Sequence, residues 1–455
     1  MLAAFPMKYF GSSGIRGVYG SEITLELGTK VGRALGRLRK RLVIGRDPRT
    51  SSQALSLAII AGALEQGADV HDAGLVATPT LAFATRNYDA GIVVTASHNP
   101  GEYNGIKIWN PDGSPMAGTD LEELEKLMDR KIKGVDYPEL RTPVPLEGAA
   151  AKHVARILEE FRDAGAGATV ALDCAHGAGG TVTPLLIRKL GARLHALGAN
   201  PDGTFPSRDP EPLSKHLGPL VALVRETRAR LGIAHDGDAD RCVVVDEGGR
   251  VLGGDQTIGV IAKALGAKKI VVPVDTSLAV RDSLKGCEVL FTKVGDVFVS
   301  DLVKHSGADF GGEPSGTFVF PKIGFHPDAM YAAALLTKLA AERSLGTLAD
   351  EIPTYPLERF SLPFPGDRAG AMQSVKDAMR ALEFSKVDET DGLRMEFSDG
   401  WALVRPSGTE PKVRVTVEAR DTTSLQVLLG RIKPRVEAAL RVAKQAAAAA
   451  PKRRR

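Results

Sequence analysis

Three aspartates on alternate residues form the group of side chains in this sequence that is best suited to chemistry. Asp236, Asp238 and Asp240 are separated only by the small residues Gly237 and Ala239. Carboxylates held this close repel one another unless a cation lies among them, and carboxylate oxygens are preferred ligands of Mg²⁺. The pattern therefore predicts a site for one divalent cation, and a solvated acidic turn explains it less well.

A calcium-binding EF-hand is the first alternative, because these aspartates and Glu247 occupy its first, third, fifth and twelfth positions. The sixth position of that loop needs a glycine, and here it is Arg241. The flanking residues 231–234 and 242–245 also have the apolar character of strands rather than helices. We therefore reject the EF-hand. Arg241 instead places a permanent cation beside the metal site, as phosphoryl transfer requires.

The segment Thr95–Pro100, Thr-Ala-Ser-His-Asn-Pro, contains a candidate nucleophile. It follows the apolar run Gly91–Val94 and leads into the polar loop Gly101–Gly105. A hydroxyl at the end of a buried strand is exposed but rigidly aimed, which suits a residue that carries a covalent group. Taken alone, the segment is more typical of a turn or helix cap. The other polar loops of the chain favour Ser97 as a phosphoryl carrier.

Two further loops have residues suited to a phosphorylated sugar. In Gly311–Gly316, Glu313 and Ser315 could bind neighbouring sugar hydroxyls, although an ordinary tight turn explains this loop equally well. Arg405–Pro411 combines an arginine, two hydroxyls and a glycine, a pattern typical of a phosphate-binding loop. A Walker sequence is absent from the chain, which disfavours nucleotide chemistry.

The loops with these candidate residues follow a repeated arrangement of strands and helices. Three apolar segments, Leu42–Asp47, Ala168–Asp173 and Lys269–Asp275, each predict a strand that ends in aspartate. A helical stretch follows each of them, and then a second strand leads into a polar loop. The pattern predicts one α/β unit used three times with a different functional loop each time.

The length of 455 residues exceeds what one hydrophobic core supports, and proline-rich stretches suggest where it divides. We predict three related mixed α/β domains and a smaller α+β C-terminal domain. The predicted divisions are residues 1–149 with the Ser97 loop, 150–252 with the metal loop, 253–356 with the sugar loop, 357–445 with the phosphate loop, and 446–455 as a disordered basic tail.

The composition argues against nucleic acid and membrane partners. The formal charge of +4 comes from 59 basic and 55 acidic side chains, and the four basic residues 452–455 account for the excess. The three cysteines lack metal-ligand spacing, which indicates reduced thiols in the cytoplasm. Apolar stretches are all shorter than the roughly 18 residues of a membrane span. Residues 1–5 are too short for a signal-peptide core, and Met7 is an alternative start.

Four motifs in this order resemble the α-D-phosphohexomutase superfamily over nearly the whole chain: Thr95–Pro100, Asp236–Arg241, Gly312–Gly316 and Arg405–Pro411. The resemblance implies four domains around a central cleft and a small-molecule sugar phosphate as substrate. It also implies that a phosphoserine passes its phosphoryl group to the sugar. The hexose 1,6-bisphosphate formed in this way is the intermediate and activator, and it returns its other phosphate to the serine.

The resemblance assigns roles to individual residues. We expect crowding by Arg16 and Arg241 to lower the pKa of Lys107 so that it can assist proton transfer. The implied catalytic residues are Ser97, Arg16, His98 and Lys107; the implied ligands of one Mg²⁺ are Asp236, Asp238, Asp240 and the phosphate on Ser97; and the implied substrate-binding residues are Arg241, Glu313, Ser315, Arg405, Ser407, Gly408 and Thr409.

Two segments favour one sugar. Residues 292–296, Thr-Lys-Val-Gly-Asp, resemble the phosphoglucosamine mutase branch, and residues 311–317 resemble its archaeal-type members. The expected reaction interconverts glucosamine 6-phosphate and glucosamine 1-phosphate. The alternative is phosphomannomutase/phosphoglucomutase activity. Many relatives have histidine where this chain has Thr317, and His326 is a nearby candidate to replace it. Monomer and homo-oligomer both remain open.

Three other classes of protein explain fewer of these features. A serine hydrolase lacks its Gly-x-Ser-x-Gly sequence here, and we expect the adjacent His98 to turn onto the Ser97 hydroxyl only with difficulty. A phosphatase with an aspartyl nucleophile leaves Ser97 and the phosphate loop unexplained. A sugar-phosphate sensor needs neither Ser97 nor the three aspartates, and this chain retains them all.

Overall fold

The computed structural model describes residues 8–11, 13–364, 368–407 and 411–449. The chain divides into two compact units, Met1–Val271 with Gly295–Glu351 and Val272–Val294 with Ile352–Arg455. In the described part of the chain, no helix combines the length and the apolar character needed to cross a membrane.

The first α/β domain contains a six-stranded sheet in the order β1-β5-β4-β2-β3-β6. The central strands β2, β3 and β4 are parallel, and β5 runs antiparallel to both β4 and β1. Its elements are β1 (Ile15–Val18), α1 (Leu25–Leu38), β2 (Arg41–Arg46), α2 (Ser52–Leu64), β3 (Asp69–Leu75), α3 (Thr78–Ala84), β4 (Ala90–Val94), β5 (Tyr103–Trp109), α4 (Gly118–Met128) and β6 (Val144–Pro145).

Helices α1 and α2 approach each other closely because a glycine lies at their contact. A Cβ on Gly32 would lie only 2.1 Å from the Ile59 carbonyl oxygen. Val31 and Leu35 on α1 are fully buried in the same core as Ile59. At the start of α1 the Thr24 hydroxyl accepts from the Leu27 amide, as expected of an N-cap.

The strands of this domain position three of the predicted catalytic residues. β4 ends just before Ser97, β5 contains Lys107, and β1 contains Arg16. The prediction that Gly101–Gly105 is entirely a loop is wrong, because β5 begins at Tyr103. Its first residues pair with β1, and Gly105 lies opposite Arg16. Glycine is disfavoured in strands, but a Cβ at Gly105 would lie only 2.3 Å from the Ile15 carbonyl oxygen and 2.6 Å from that of Thr95.

The second domain contains the four-stranded sheet β10-β9-β7-β8. β9 and β10 pair in antiparallel fashion, so the loop with the three aspartates joins two strands and not two helices. This observation confirms the exclusion of the EF-hand. The elements are α5 (Ala149–Phe161), β7 (Thr169–Asp173), α6 (Thr183–Lys189), β8 (Arg193–Leu197), α7 (Gly218–Thr227), β9 (Leu231–Ala234) and β10 (Val243–Asp246).

The third repeat places the predicted sugar loop in a short hairpin. β11 pairs in parallel with β13, and β13 pairs antiparallel with β14 across residues 313–317. The elements are α8 (Gly254–Leu265), β11 (Lys269–Pro273), α9 (Leu278–Ser283), β12 (Glu288–Thr292), α10 (Asp296–Ser306), β13 (Phe310–Gly312), β14 (Phe318–Val319), α11 (Ala329–Glu342) and α12 (Leu345–Asp350). The division between the two units falls within β11, and α9 and β12 belong to the second unit.

The C-terminal part of the second unit is a five-stranded antiparallel sheet in the order β15-β19-β18-β17-β16. Its apolar face packs with two helices around Val404, Val415 and Ile432. The elements are β15 (Leu357–Pro363), α13 (Arg368–Met379), β16 (Lys386–Asp388), β17 (Leu393–Glu396), β18 (Gly400–Pro406), β19 (Lys412–Ala419) and α14 (Thr422–Ala449). Three mixed α/β domains and a smaller α+β domain are thus confirmed.

The predicted start of the disordered tail, at residue 446, lies too early in the chain. α14 continues to Ala449 and so includes the first residues of the segment 446–455. Alanine has the highest intrinsic helix propensity, which explains why the alanine run extends the helix. The remaining residues of the predicted tail, 450–455, lie outside the described part of the chain, as do residues 1–7.

Candidate active site

Ser97 occupies a tight turn immediately beyond β4. Its φ of 51° lies in the left-handed region, which non-glycine residues rarely adopt. The Ser97 amide donates to the Thr95 hydroxyl at 2.8 Å, and the Ser97 hydroxyl donates to Asp236 Oδ2 at 2.7 Å. The turn therefore aims the hydroxyl at the loop of three aspartates. Residues held in such sparsely populated conformations cluster at functional sites.

His98 is closer to the Ser97 hydroxyl than we expected from the sequence. Its Nδ1 lies 3.3 Å from Ser97 Oγ, so the prediction that His98 turns onto this hydroxyl only with difficulty is wrong. However, Arg241 Nη2 donates to the same nitrogen at 2.9 Å. Burial, together with Arg241 and Arg16, lowers the pKa of His98 to about 2. The neutral imidazole therefore accepts from Arg241 and is not free to take the serine proton.

Asp236, Asp238 and Asp240 come together as one buried cluster. Each can direct one carboxylate oxygen to a common point, and these oxygens lie within 4.8 Å of one another. Burial raises the pKa of Asp236 well above its ordinary value, and the charges of Asp240 and Asp238 raise it further. Among the described residues, Oδ1 of Asp238 and Oδ1 of Asp240 are buried without a hydrogen-bond partner. Unpaired carboxylate oxygens in mutual repulsion fit a hard divalent cation such as Mg²⁺.

Lys107 lies against two of these aspartates. Its Nζ is 2.9 Å from Asp238 Oδ2 and 2.6 Å from Asp240 Oδ2. Burial alone would lower the pKa of Lys107, but the attraction of both carboxylates outweighs burial and raises it. The expectation of a lowered pKa is therefore wrong. The sequence could not reveal that the aspartates, and not the arginines, are the nearest charges to this ammonium group.

We expect added Mg²⁺ to stabilise the metal-free protein against heat. A cation bound only by the folded chain relieves the repulsion among the three aspartates and shifts the unfolding equilibrium by mass action. At 100 times the dissociation constant the gain is about 2.7 kcal/mol. Differential scanning calorimetry with MgCl₂, and with NaCl of equal ionic strength as the control, measures this gain. Equal melting temperatures in the two salts would contradict a metal site here.

Two arginines surround the Ser97 turn on the side of the metal loop. The Arg241 amide donates to Asp236 Oδ1 at 3.2 Å, and Arg241 Nη1 lies 3.7 Å from Glu211 Oε1. Arg16 Nη1 donates to Asn99 Oδ1 at 3.5 Å. Both predicted arginines therefore lie close to the Ser97 turn, since Arg241 contacts His98 and Arg16 contacts Asn99.

The hairpin of the third domain holds Glu313 in a defined orientation. Glu313 Oε1 accepts from the Gly295 amide at 2.8 Å, and Oε2 accepts from the Thr317 hydroxyl at the same distance. Ser315 Oγ lies 3.3 Å from the Thr317 hydroxyl. Thr317 also forms an isolated β-bridge with Arg241, which joins this hairpin to the metal loop. Thr317 thus orients Glu313. No sequence motif indicated this role.

His326 does not replace the missing histidine at position 317. The side chain is fully buried, and its Nε2 lies 3.7 Å from Asp328 Oδ2. Its ring packs edge-on against Trp109 at 6.3 Å between centroids. A substrate cannot contact a residue in this environment, so His326 is a core residue of the first unit.

The second unit contains part of the predicted phosphate-binding loop. Arg405 is the penultimate residue of β18, and its Nη1 donates to Asp391 Oδ2 at 3.2 Å. Ser407 is buried, and its amide donates to the Lys412 carbonyl. Gly408 and Thr409 lie outside the described residues. The described part thus contains one fixed arginine and one hydroxyl of the predicted site.

Sequence reasoning missed several residues that contact the site. Thr78, at the start of α3, donates to Asp238 Oδ2 at 2.7 Å, and Glu211 faces Arg241. Neither lies in a recognisable motif, because both contacts join segments far apart in the chain. Asp47 did have a signal, because it ends the apolar segment Leu42–Asp47, and Arg49 lies two residues beyond it.

Comparison with known proteins decides the family. Models of the phosphoglucomutase/phosphomannomutase α/β/α domains I, II and III match residues 7–134, 149–249 and 253–355, and the model of the C-terminal domain matches residues 367–433. The chain belongs to this family. The resemblance to phosphohexomutases inferred from four motifs is thereby confirmed, and with it the class of enzyme, an isomerase that acts by phosphoryl transfer.

Individual members of the family match almost end to end. A probable phosphoglucosamine mutase of Methanocella arvoryzae is 45% identical, over 93% of this chain and 96% of its own length. That of Methanosarcina barkeri is 47% identical, over 91% and 96%. A crystal structure of a phosphoglucomutase/phosphomannomutase family protein from Burkholderia thailandensis is 28% identical and superposes with a TM-score of 0.84, over 96% and 98% of the two chains.

Proposed function

We propose that this mutase interconverts glucosamine 6-phosphate and glucosamine 1-phosphate, with Ser97 as the phosphoryl carrier and a bisphosphate as the intermediate. The observation that carries the proposal is the 2.7 Å contact between the Ser97 hydroxyl and Asp236. It joins a serine on one α/β domain to the metal loop of the next. A phosphate on Ser97 would then lie beside the three carboxylates and the cation that they hold.

The residues around Ser97 support phosphoryl transfer rather than hydrolysis. Mg²⁺, when held by Asp236, Asp238 and Asp240, would supply positive charge to the oxygens of the transferred group. Arg241 and Arg16 add charge that does not depend on pH. In our proposal Lys107 Nζ keeps its proton and stabilises negative charge, because Asp238 and Asp240 raise its pKa. His98 Nδ1 already accepts from Arg241, so it does not activate Ser97 as the histidine of a hydrolase would.

The sugar and its second phosphate would be held by other loops. Glu313 is suited to accept hydrogen bonds from two neighbouring hydroxyls, since the Gly295 amide and the Thr317 hydroxyl fix its carboxylate. Ser315 would add a further hydroxyl contact. In the second unit, Arg405 is suited to bind the phosphate that is not transferred, together with Ser407. Gly408 and Thr409 complete that loop in our proposal.

The choice of sugar rests on the relatives. Both archaeal proteins compared above are named probable phosphoglucosamine mutases, and each matches more than nine-tenths of this chain. We expect the highest kcat/KM with glucosamine 1-phosphate, followed by glucose 1-phosphate and mannose 1-phosphate. Parallel kinetic assays on the three phosphates, with catalytic glucose 1,6-bisphosphate and MgCl₂, measure the order. A higher kcat/KM for mannose or glucose phosphate would favour phosphomannomutase/phosphoglucomutase activity instead.

A further inference from the structure

The strand-terminal aspartates of the first two domains each bind an arginine that contacts a functional loop. Asp47 follows β2, and Asp173 ends β7; both lie at the carboxyl end of a central strand. Each forms a buried ion pair, with Arg49 at 2.9 Å and with Arg208 at 2.7 Å. None of the roles proposed above requires these four residues.

The guanidinium of Arg49 donates hydrogen bonds to the backbone of the Ser97 turn. Nη2 donates to the carbonyls of Ser97 at 2.8 Å and Asn99 at 2.6 Å, and Nη1 donates to those of Pro100 and Tyr103. The side chain is fully buried. Four carbonyls from one short segment thus converge on one planar cation, which fixes the turn at both of its ends.

Asp47 connects this cation to the amide of Ser97. Its Oδ2 accepts from the Thr95 hydroxyl at 2.7 Å, and that hydroxyl accepts from the Ser97 amide at 2.8 Å. Its Oδ1 accepts from the Ser52 hydroxyl. Because both the amide and the carbonyl of Ser97 are held, its positive φ is set by Asp47 and Arg49 together.

Arg208 makes the corresponding contacts to the metal loop. Its Nη2 donates to the carbonyl of His235, the residue before Asp236, at 2.7 Å. Its Nη1 donates to the carbonyls of Asp209 and Pro210, the two residues that precede Glu211. The pair Asp173–Arg208 spans 35 residues, whereas Asp47 and Arg49 are two residues apart. Both domains therefore contain a buried aspartate–arginine pair that holds a functional loop, but the arginine comes from a different segment in each domain.

We propose that Arg49 and Arg208 are positioning residues, the first for the phosphoryl carrier Ser97 and the second for the metal ligands Asp236, Asp238 and Asp240. This inference rests on the proposed function, since it assumes that Ser97 carries the phosphoryl group. Lysine in either place retains the charge but lacks the planar fork of donors, so it cannot hold several carbonyls at once. The two substitutions consequently affect different steps.

The test measures three quantities on the full chain with Arg49→Lys, Arg208→Lys and the unmodified sequence. They are the rate at which Ser97 takes up phosphate from glucose 1,6-bisphosphate by intact mass, the affinity for MgCl₂ by calorimetry, and kcat with KM. We expect Arg49→Lys to slow phosphorylation and lower kcat by about 10- to 100-fold, with KM and the affinity for MgCl₂ within about twofold. We expect Arg208→Lys to weaken MgCl₂ binding by a similar factor.

A matched control is Arg250→Lys. Arg250 also pairs with a strand-terminal aspartate, Asp246 at 2.9 Å, but its other contacts are Asp350 and the Gly346 carbonyl. We expect all three quantities to stay unchanged in this variant. If Arg49→Lys does not fold, Thr95→Val tests the same connection with an isosteric side chain, and Arg208→Gln is the second variant for the metal loop.

The outcomes separate the inference from the proposed function. An unmodified chain that never takes up phosphate on Ser97 would refute the proposed function. An unmodified chain that does so, with Arg49→Lys or Thr95→Val equally fast, would overturn the role of Arg49. Unchanged MgCl₂ affinity in the Arg208 variants would overturn the role of Arg208. A drop in melting temperature without these changes would mean that both arginines serve stability alone.

Discussion

Ser97→Ala is expected to abolish mutase activity while the protein remains folded. The substitution removes the oxygen that would carry the phosphoryl group, and the arginines and the metal loop offer no replacement. A loss on the order of 10⁴-fold or more in kcat is the scale seen when a covalent nucleophile is removed. The measurement is a coupled assay with glucosamine 1-phosphate, together with intact mass after incubation with glucose 1,6-bisphosphate.

The matched control for this variant is Ser361→Ala. Ser361 lies on β15 with its side chain exposed, so we expect normal activity and one phosphate per chain. Peptide mapping of the unmodified protein should place that phosphate on Ser97. A Ser97→Ala protein that still converts sugar phosphates at more than a trace rate would rule out Ser97 as the carrier.

Asp236→Asn is expected to destroy activity and at the same time to stabilise the metal-free protein. Burial, together with the charges of Asp240 and Asp238, raises the pKa of Asp236. A raised carboxyl pKa means that the folded state resists ionisation, so stability is lost as the pH rises above the ordinary value of 3.8. Asparagine cannot ionise, so it removes this cost.

Chemical denaturation of the metal-free proteins at pH 7.5 and at pH 4 measures this effect. The variant should be more stable than the unmodified protein at pH 7.5, and the difference should shrink toward pH 4. MgCl₂ should reverse the order at pH 7.5, because only the unmodified protein retains all three carboxylates. Asp350→Asn, an exposed substitution, is the control. A variant that is less stable without metal would contradict this account of the site.

Local sequence patterns were sufficient to predict the main parts of the fold and to select the residues of the candidate site. The three aspartates, the Ser97 segment and the loop around Glu313 are each short and contiguous, so their chemistry is visible without a structure. The strands beside them are apolar runs with clear ends. The start of β5 was missed because Tyr103–Gly105 has the composition of a loop, and only its pairing with β1 makes it a strand.

Contacts between distant segments could not be predicted in this way. Lys107 and Asp238 are 131 residues apart, and their ion pair reverses the direction of the pKa shift that we expected for the lysine. The pairing of Asp173 with Arg208 and the contact of Thr78 with Asp238 are likewise products of packing. Electrostatics at a buried site depends on which charge is nearest, and that information lies in the tertiary structure.

The β-bridge between Arg241 and Thr317 links the hairpin that holds Glu313 to the metal loop. The Cys242 amide also donates to the Gly316 carbonyl at 2.9 Å, so the two loops share backbone hydrogen bonds. An insertion or deletion in the hairpin that holds Glu313 would therefore displace Arg241, which contacts His98 and Asp236. If Glu313 binds the sugar and Arg241 the phosphoryl group, as we propose, we expect side-chain replacements in a loop of constant length to alter sugar preference. Remodelling the backbone of the loop would then impair phosphoryl transfer to every sugar.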